Sequence, residues 1–218
     1  ANYIGKTKEE NITAIINIKD FEESLTVMMV TRKGIMKKTE LSNFENTRKS
    51  GIIAISLADD DKLIDVKITN GKQEILLGTH DGMAIRFNES DVRSMGRTAA
   101  GVRAIKLGKK DLVVGLVAVK RAGASILVVT DKGYGKRSDL QDYRMTRRGG
   151  KGVITMKSSD KNGSVISIRE VVDNDDLMII TTKGIMIRQN LGVIRVMGRN
   201  TQGVRLIKLH EGDTISAV

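Results

Sequence analysis

Arginine and lysine recur in this sequence at positions that a repeat would place side by side. One set follows a short apolar run and a glycine: Lys37 and Lys38, Arg86, Lys136 and Arg137, and Arg188. A second set fills the stretch that comes next: Arg48 and Lys49; Arg93, Arg97 and Arg103; Arg144, Arg147, Arg148 and Lys151; Arg195, Arg199 and Arg205. From Val92 to Leu107 there are four basic residues and no acid, and the same holds from Val193 to Leu209. A planar guanidinium binds phosphate through two parallel N–H···O bonds, so Arg-rich loops of one sign suit a polyanionic backbone. With 37 Lys and Arg against 26 Asp and Glu, the net charge of +11 points the same way.

Other chemistry has little to work with. The chain has no Cys, and its only histidines are His80 and His210, so thiolate nucleophiles, disulfides and multi-histidine metal sites have no residues to build them. Gly149-Gly150-Lys151-Gly152 lacks the spacing and the following Ser or Thr of a phosphate-binding loop. No catalytic residue, metal or cofactor is expected in this chain. Three Tyr, three Phe and no Trp leave base stacking without platforms, which favours the backbone of a duplex over single strands. No helical pattern offers a segment for the major groove, and no Asn or Gln cluster accompanies the arginines, so selectivity would come from the deformability of the DNA. No apolar run approaches the ~20 residues of a membrane helix, and Ala1–Gly5 resembles no signal peptide. The expectation is a cytoplasmic, nucleoid-associated protein with no membrane partner.

The elements that must position these residues come from a repeat of about 51 residues. MMVTRKGIMKKT, ILLGTHDGMAIRF, ILVVTDKGYGKRS and LMIITTKGIMIRQ share a turn glycine, at Gly34, Gly82, Gly133 and Gly184. SGIIAISL, AGVRAIKL, KGVITMK and QGVRLIKL form a second marker, with Gly51, Gly101, Gly152 and Gly203. Runs of Val, Ile, Leu, Met and Thr broken by Lys-Gly or Asp-Gly predict hairpins. In the second marker Ile53, Ile55 and Leu57 alternate with Ala54 and Ser56, which predicts a strand with one buried face. Met28, Met29, Met83, Met156, Met178 and Met186 read as core filler. A third element links the units: 63–69, 112–119 and 164–171, with copies at 12–18 and 214–218.

These elements predict one all-β repeat domain over 1–218, a propeller-like array of four blades of about four strands each. Approximate blade limits are 12–62, 63–111, 112–163 and 164–218. The acids gather apart from the basic loops: Glu9, Glu10, Asp20, Glu22 and Glu23; Asp59, Asp60, Asp61 and Asp65; Asp173, Asp175 and Asp176. In an array, equivalent sequence positions are equivalent places, so the basic loops should form a belt at one level and the acids should lie at another. A belt on a curved array would follow the phosphates of a bent duplex.

Three segments carry a resemblance to a known family: KGYGKRSDLQDYR at 132–144, SDVRSMGRTAAGVRAIKL at 90–107 and GRNTQGVRLIKL at 198–209. They resemble the C-terminal domains of bacterial DNA gyrase A subunits, over essentially the whole chain. The resemblance implies a β-pinwheel, whose blades exchange strands, and DNA wrapped around its basic rim in support of ATP-dependent negative supercoiling. It implies two partners, the N-terminal part of the gyrase A subunit, which would carry the catalytic tyrosine, together with the gyrase B subunit. ATP and magnesium would sit on those other parts, and the isolated domain would be a monomer. The family's Gln-Arg-Arg-Gly-Gly-Lys-Gly box is matched by Thr146-Arg147-Arg148-Gly149-Gly150-Lys151-Gly152, with Thr for Gln. In the family the box lies in the first of about six blades, whereas here it lies in the third unit. The expectation is therefore the last four blades of a six-bladed array.

Two other binding readings compete. One is the related domain of the topoisomerase IV A subunit, which directs choice of DNA substrate. The other is a protein-interaction propeller, which would need a closed ring and a glycine-denser repeat.

Overall fold

The computed structural model describes residues 12–48 and 50–218. In chain order its strands are β1 (Thr26–Thr31), β2 (Ile35–Glu40), β3 (Leu63–Thr69), β4 (Glu74–Thr79), β5 (Met83–Asn88), β6 (Val102–Arg103), β7 (Val113–Val119), β8 (Ser125–Thr130), β9 (Tyr134–Asp139), β10 (Val153–Ile154), β11 (Val165–Val171), β12 (Asp176–Thr181), β13 (Met186–Asn190), β14 (Val204–Arg205) and β15 (Ile215–Ala217). A short 3-10 turn follows the outgoing strand of each hairpin, at Leu41–Phe44, Glu89–Asp91, Leu140–Asp142 and Leu191–Val193. The hairpins close through Gly34, Gly82, Gly133 and Gly184 at φ +79 to +83°, a left-handed conformation that a side chain would strain.

The sheets run β3-β1-β2-β6, β10-β5-β4-β7, β11-β8-β9-β14 and β13-β12-β15. One rule generates the first three. The hairpin is central, the linking strand that follows it pairs on one edge, and the opposite edge takes two residues from the next repeat. Thus β6, in repeat two, finishes the sheet of repeat one. This is the strand exchange of a β-pinwheel. The fourth sheet has three strands among the described residues.

Apolar packing stacks the blades. Met28, Val30 and Met36 of blade one meet Ile75, Leu77, Ile85 and Phe87 of blade two in one buried cluster. Leu76 and Ala84 meet Ile126, Val128, Tyr143 and Ile168 in the next. Leu127 and Val129 meet Leu177, Ile179 and Ile215 in the third. Because the middle sheets have a neighbour on each face, β4 and β8 are buried almost throughout. Full burial of each such side chain stabilises by about 1.5–3 kcal/mol, which makes these clusters the main adhesive between blades.

Several expectations change. Limits at 62/63, 111/112 and 163/164 part each linking strand from the hairpin it pairs with, since β3 pairs with β1, β7 with β4 and β11 with β8. The 12–18 copy is coil, mostly exposed, and pairs with no strand edge among the described residues. The second marker contributes only two strand residues in repeats two to four, and none in repeat one. There Ile53 and Leu57 are 64% and 44% exposed and only Ile55 is buried. Among the methionines, Met28, Met29 and Met156 are core, but Met178 and Met186 lie exposed on blade four, where no described residue packs over them. Glu9 and Glu10 lie outside the described residues.

Candidate nucleic-acid interface

The basic loops are arches on the outer edges of the sheets. After the Glu89–Asp91 turn, Ser94 pairs in parallel with Lys38, and Met95 N–H donates to the Lys38 carbonyl at 2.8 Å. The chain then leaves the edge and returns as β6, where Val102 and Arg103 pair antiparallel with Met36 and Ile35. The next arch leaves at Met145, opposite Arg86, and returns as β10 beside Ala84 and Met83. The third leaves at Val196, opposite Arg137, and returns as β14 beside Gly135 and Tyr134. Gly101, Gly152 and Gly203 mark each return: a Cβ there would lie closer than 3.0 Å to the carbonyl oxygens of Met36, Ala84 and Gly135. The linking strands, with Asp65 among them, occupy the opposite edges.

The arches present arginine at one register. Arg93, Arg144 and Arg195 are exposed, each next to the residue that begins the parallel bridge. Arg103 and Arg205 are exposed on the returning strands, and Arg205 lies 5.5 Å over the Tyr134 ring. Arg147 and Lys151 are exposed at the crown of the box-like arch, and Arg48 in the shorter loop of repeat one. Lys49 lies outside the described residues. The sequence reading passed over Lys106, Lys157 and Lys208, which are exposed at one shared position of the second marker. For Lys106 and Lys208 the signal was legible as a polar residue between two apolar ones; Lys157 is followed by Ser158 and is found only by its register.

A second group holds the arches in place. Arg148 donates from Nε to the Asp91 carbonyl at 2.8 Å and from Nη1 to the Arg103 carbonyl at 3.0 Å. Arg199 repeats this one blade on, donating to the Asp142 carbonyl at 3.0 Å and the Ile154 carbonyl at 2.8 Å. Both are half-buried, as is Arg97. Thr146, the departure from the box, donates its hydroxyl to the Arg86 carbonyl at 3.1 Å.

The basic residues that end the outgoing strands are not at the surface. Lys37, Lys38, Arg86, Lys136 and Arg137 are 0%, 8%, 7%, 0% and 3% exposed, and they are corrected out of the interface. Their strands lie inside the arches; Lys38, Arg86 and Arg137 point into the joint with the next blade, whereas Lys37 and Lys136, one residue earlier, take the opposite face. Arg86 donates to the carbonyls of Leu140 and Tyr143 at 2.8 and 3.0 Å and pairs with Glu74 at 2.6 Å. Arg137 donates to Leu191 and Ile194 at 2.8 and 3.3 Å and pairs with Asp173 at 2.5 Å. Lys38 reaches the Glu89 carbonyl at 3.2 Å. Each pins its blade to the 3-10 turn of the next. Lys37 and Lys136 donate instead into the arch, to the Arg97 carbonyl and to the Gly198 and Arg199 carbonyls respectively. Burial, with Arg199 close by, lowers the Lys136 ammonium to about 8, and burial with Arg97 lowers Lys37 in the same direction. Arg188 is exposed but paired with Asp176.

The acids do structural work. Asp61, Asp111 and Asp213 accept the backbone N–H of the hairpin residues Lys33, Asp81 and Lys183 at 3.0, 2.9 and 3.1 Å. Asp173 and Asp176 neutralise strand arginines, and Asp175 pairs with Arg121 at 2.6 Å. A depression of about 970 Å³ lined from blades one, two and three, with Lys72, Lys120 and Arg121 on its walls, shares no residue with the arches.

Comparisons with known proteins agree with this architecture. The family described as DNA gyrase C-terminal domain, beta-propeller, matches four times, at residues 26–70, 73–120, 124–171 and 175–218. Those limits keep each hairpin with its linking strand. The DNA gyrase A subunit of Haloquadratum walsbyi is 46% identical over 96% of this chain and 25% of its own length. That of Staphylococcus epidermidis is 44% identical over 100% of this chain and 24% of its own length. The chain thus spans about a quarter of these relatives. Among solved structures, the C-terminal domain of DNA topoisomerase IV matches with a TM-score of 0.91 at 31% identity, covering 98% of this chain and 67% of that one. A DNA gyrase A C-terminal domain matches at 0.88 and 28% identity, covering 97% and 71%. Four matched repeats in a strand-exchanged array, in a sequence nearly half identical to gyrase A subunits, leave one assignment: the chain belongs to the DNA gyrase C-terminal domain family.

Proposed function

We propose that this chain binds duplex DNA along its arches and bends it over the outer edges of successive blades, as a non-catalytic wrapping domain of a gyrase-type topoisomerase. The observation that carries the reading is the repetition of exposed Arg93, Arg144 and Arg195 at one register on three consecutive edges, with no acid between Val92 and Leu107 or between Val193 and Leu209. Phosphate contacts release counterions, so log affinity should fall with log salt by about 0.9 per contact. In the whole enzyme the domain would act beside the N-terminal part of the A subunit, which would cleave the strands, together with the B subunit. ATP and magnesium would be handled there, in the cytoplasm at the nucleoid. Wrapping by this domain would give the sign of ATP-driven supercoiling.

The test is topological. Nicked circular DNA is ligated with and without the domain, and the linking number is read. A shift that grows with protein concentration supports wrapping; protection of DNA with no shift overturns it. The close match to a topoisomerase IV domain favours a second reading, in which the domain selects DNA geometry without wrapping. Binding without a linking-number change is the outcome that would favour it.

A further inference from the structure

Consecutive arches on the rim are not separate loops, because the crown of each is bonded to the tail of the one before. In the box-like arch, Gly149 N–H donates to the Ala104 carbonyl at 2.6 Å, and the Gly150 carbonyl accepts from Lys106 N–H at 2.8 Å. One repeat on, Lys157 N–H donates to the Thr201 carbonyl at 3.0 Å. One repeat back, Ser56 N–H donates to the Ala99 carbonyl at 3.3 Å. Ser56, Lys106 and Lys157 each stand five residues after a second-marker glycine, and Ala99, Gly150 and Thr201 each stand two before the next. Tail and crown therefore meet along a seam of one register.

The seam decides where the two lysines point. Ile105 and Met156, one residue earlier, are buried in the clusters below, and the crown holds the N–H of Lys106 and Lys157. Both side chains turn outward and are exposed. Among the described residues neither ammonium has a protein partner, whereas Lys33, Lys67 and Lys183, away from the arches, are taken by Asp60, Asp65 and the Glu211 carbonyl. No acid lies between Gly101 and Leu107, between Tyr143 and Ser159, or between Val193 and Leu209, so nothing on either side of these seams neutralises the charge.

We propose that Lys106 and Lys157 are phosphate ligands that complete the crowns of the arches that follow them, so that each of these DNA contacts is assembled from two repeats. Lys106, joined at Gly150, acts with Arg147 and Lys151. Lys157, joined at Thr201, brings charge to a crown whose own Arg199 is spent on the Asp142 and Ile154 carbonyls. An ammonium on a flexible stem carries three donors, which suits a phosphate whose position shifts as the duplex bends. Ser56 brings no charge to the first seam. The proposal rests on the reading of the arches as a DNA surface, and adds that DNA bridges the seams.

The test is duplex affinity by fluorescence anisotropy between about 50 and about 200 mM salt, with thermal unfolding of each variant. Lys106→Gln and Lys157→Gln should each bind several-fold more weakly at the lower salt and lose up to about 0.9 of log-log slope. Lys106→Arg should keep the slope, and melting should not move. Lys72→Gln, an exposed lysine in the depression away from the arches, controls for charge and should keep the slope. Ser56→Lys should bind more tightly, with a slope steeper by about the amount the other variants lose. Lys106→Gln and Arg147→Ala, in one crown, should combine non-additively, whereas Lys157→Gln and Arg147→Ala should add. Wild-type slopes in Lys106→Gln and Lys157→Gln overturn the proposal and leave the DNA reading standing, as does a Lys72→Gln loss equal to theirs. A wild type without salt-dependent binding overturns both.

Discussion

Arg137 and Arg144 stand seven residues apart in one repeat and carry the same guanidinium, yet Arg137 is 3% exposed and Arg144 is open to solvent. Arg137 ends a strand that faces the next blade, and its donors are consumed by two carbonyls, Ser125 and Asp173. Arg144 begins an arch on the outer edge of the preceding blade, where its side chain bonds to no group among the described residues. The same division runs through Arg86 and Arg93, and through Lys136 and Arg147. Positive charge in this domain therefore has two uses: one population fastens blade to blade, and the other is left free along the edge. Net charge alone does not separate them.

The contrast breaks most visibly at the fasteners. Arg137→Ala strands Asp173 and leaves the Leu191 and Ile194 carbonyls without a donor. Asp173 is itself exposed, so the loss comes from the joint carbonyls: a buried polar group left without a partner costs about 1–3 kcal/mol, and thermal unfolding should shift down by roughly 5–10 °C for a chain of this size. An unchanged melting temperature with weakened DNA binding would put Arg137 in the other population.

The arches should show the opposite pattern. Arg144→Ala, Arg147→Ala and Lys151→Ala combined should lower DNA affinity at least about tenfold, and flatten the log-log salt slope by up to about 0.9 for each phosphate contact removed. Melting should be unchanged. Affinity measured by fluorescence anisotropy across a salt series reads both effects, and an unaltered slope would remove this arch from the interface.

Arg148 tests the boundary between the groups. It holds the arch through the Asp91 and Arg103 carbonyls, so Arg148→Gln should weaken binding by a smaller factor, with the salt slope kept. A slope loss equal to that of Arg147→Ala would make Arg148 a phosphate contact.

The smallest effect is in pH. Lys136 falls from its ordinary 10.5 to about 8 on folding, so between these values the unfolded chain binds more protons than the folded one. Stability should then rise with pH from about 8 toward 10.5, and be lower below that window, where the buried ammonium is charged in both states. Lys136→Ile should flatten this dependence without the loss seen for Arg137→Ala. Repeats two and four already carry Ile85 and Ile187 at that position. Chemical denaturation at pH 7.5 and pH 10 makes the comparison.

Much of the array was legible before any coordinates. The two glycine markers located every hairpin and every returning strand, because a turn needing positive φ and a backbone approach with no room for Cβ both demand glycine. The arches were legible as acid-free basic runs. The fate of Lys37, Lys38, Arg86, Lys136 and Arg137 was not, because burial depends on the blade that stacks against them. One clue was present: a position that alternates Lys37, Ile85, Lys136 and Ile187 is a joint position, not one that phosphate would select. The 12–18 segment failed for a related reason. Its pattern matches β3, but a linking strand needs a hairpin edge to pair with, and none among the described residues takes it.

The exchange of β6, β10 and β14 also sets an order of events on the ribosome. A growing chain can close the hairpin of each sheet as soon as it emerges, but the outer edge stays open until the following repeat has been translated. Completion of the domain therefore runs as a wave one repeat behind synthesis. A pause within an arch would hold an adhesive edge exposed for the length of the pause.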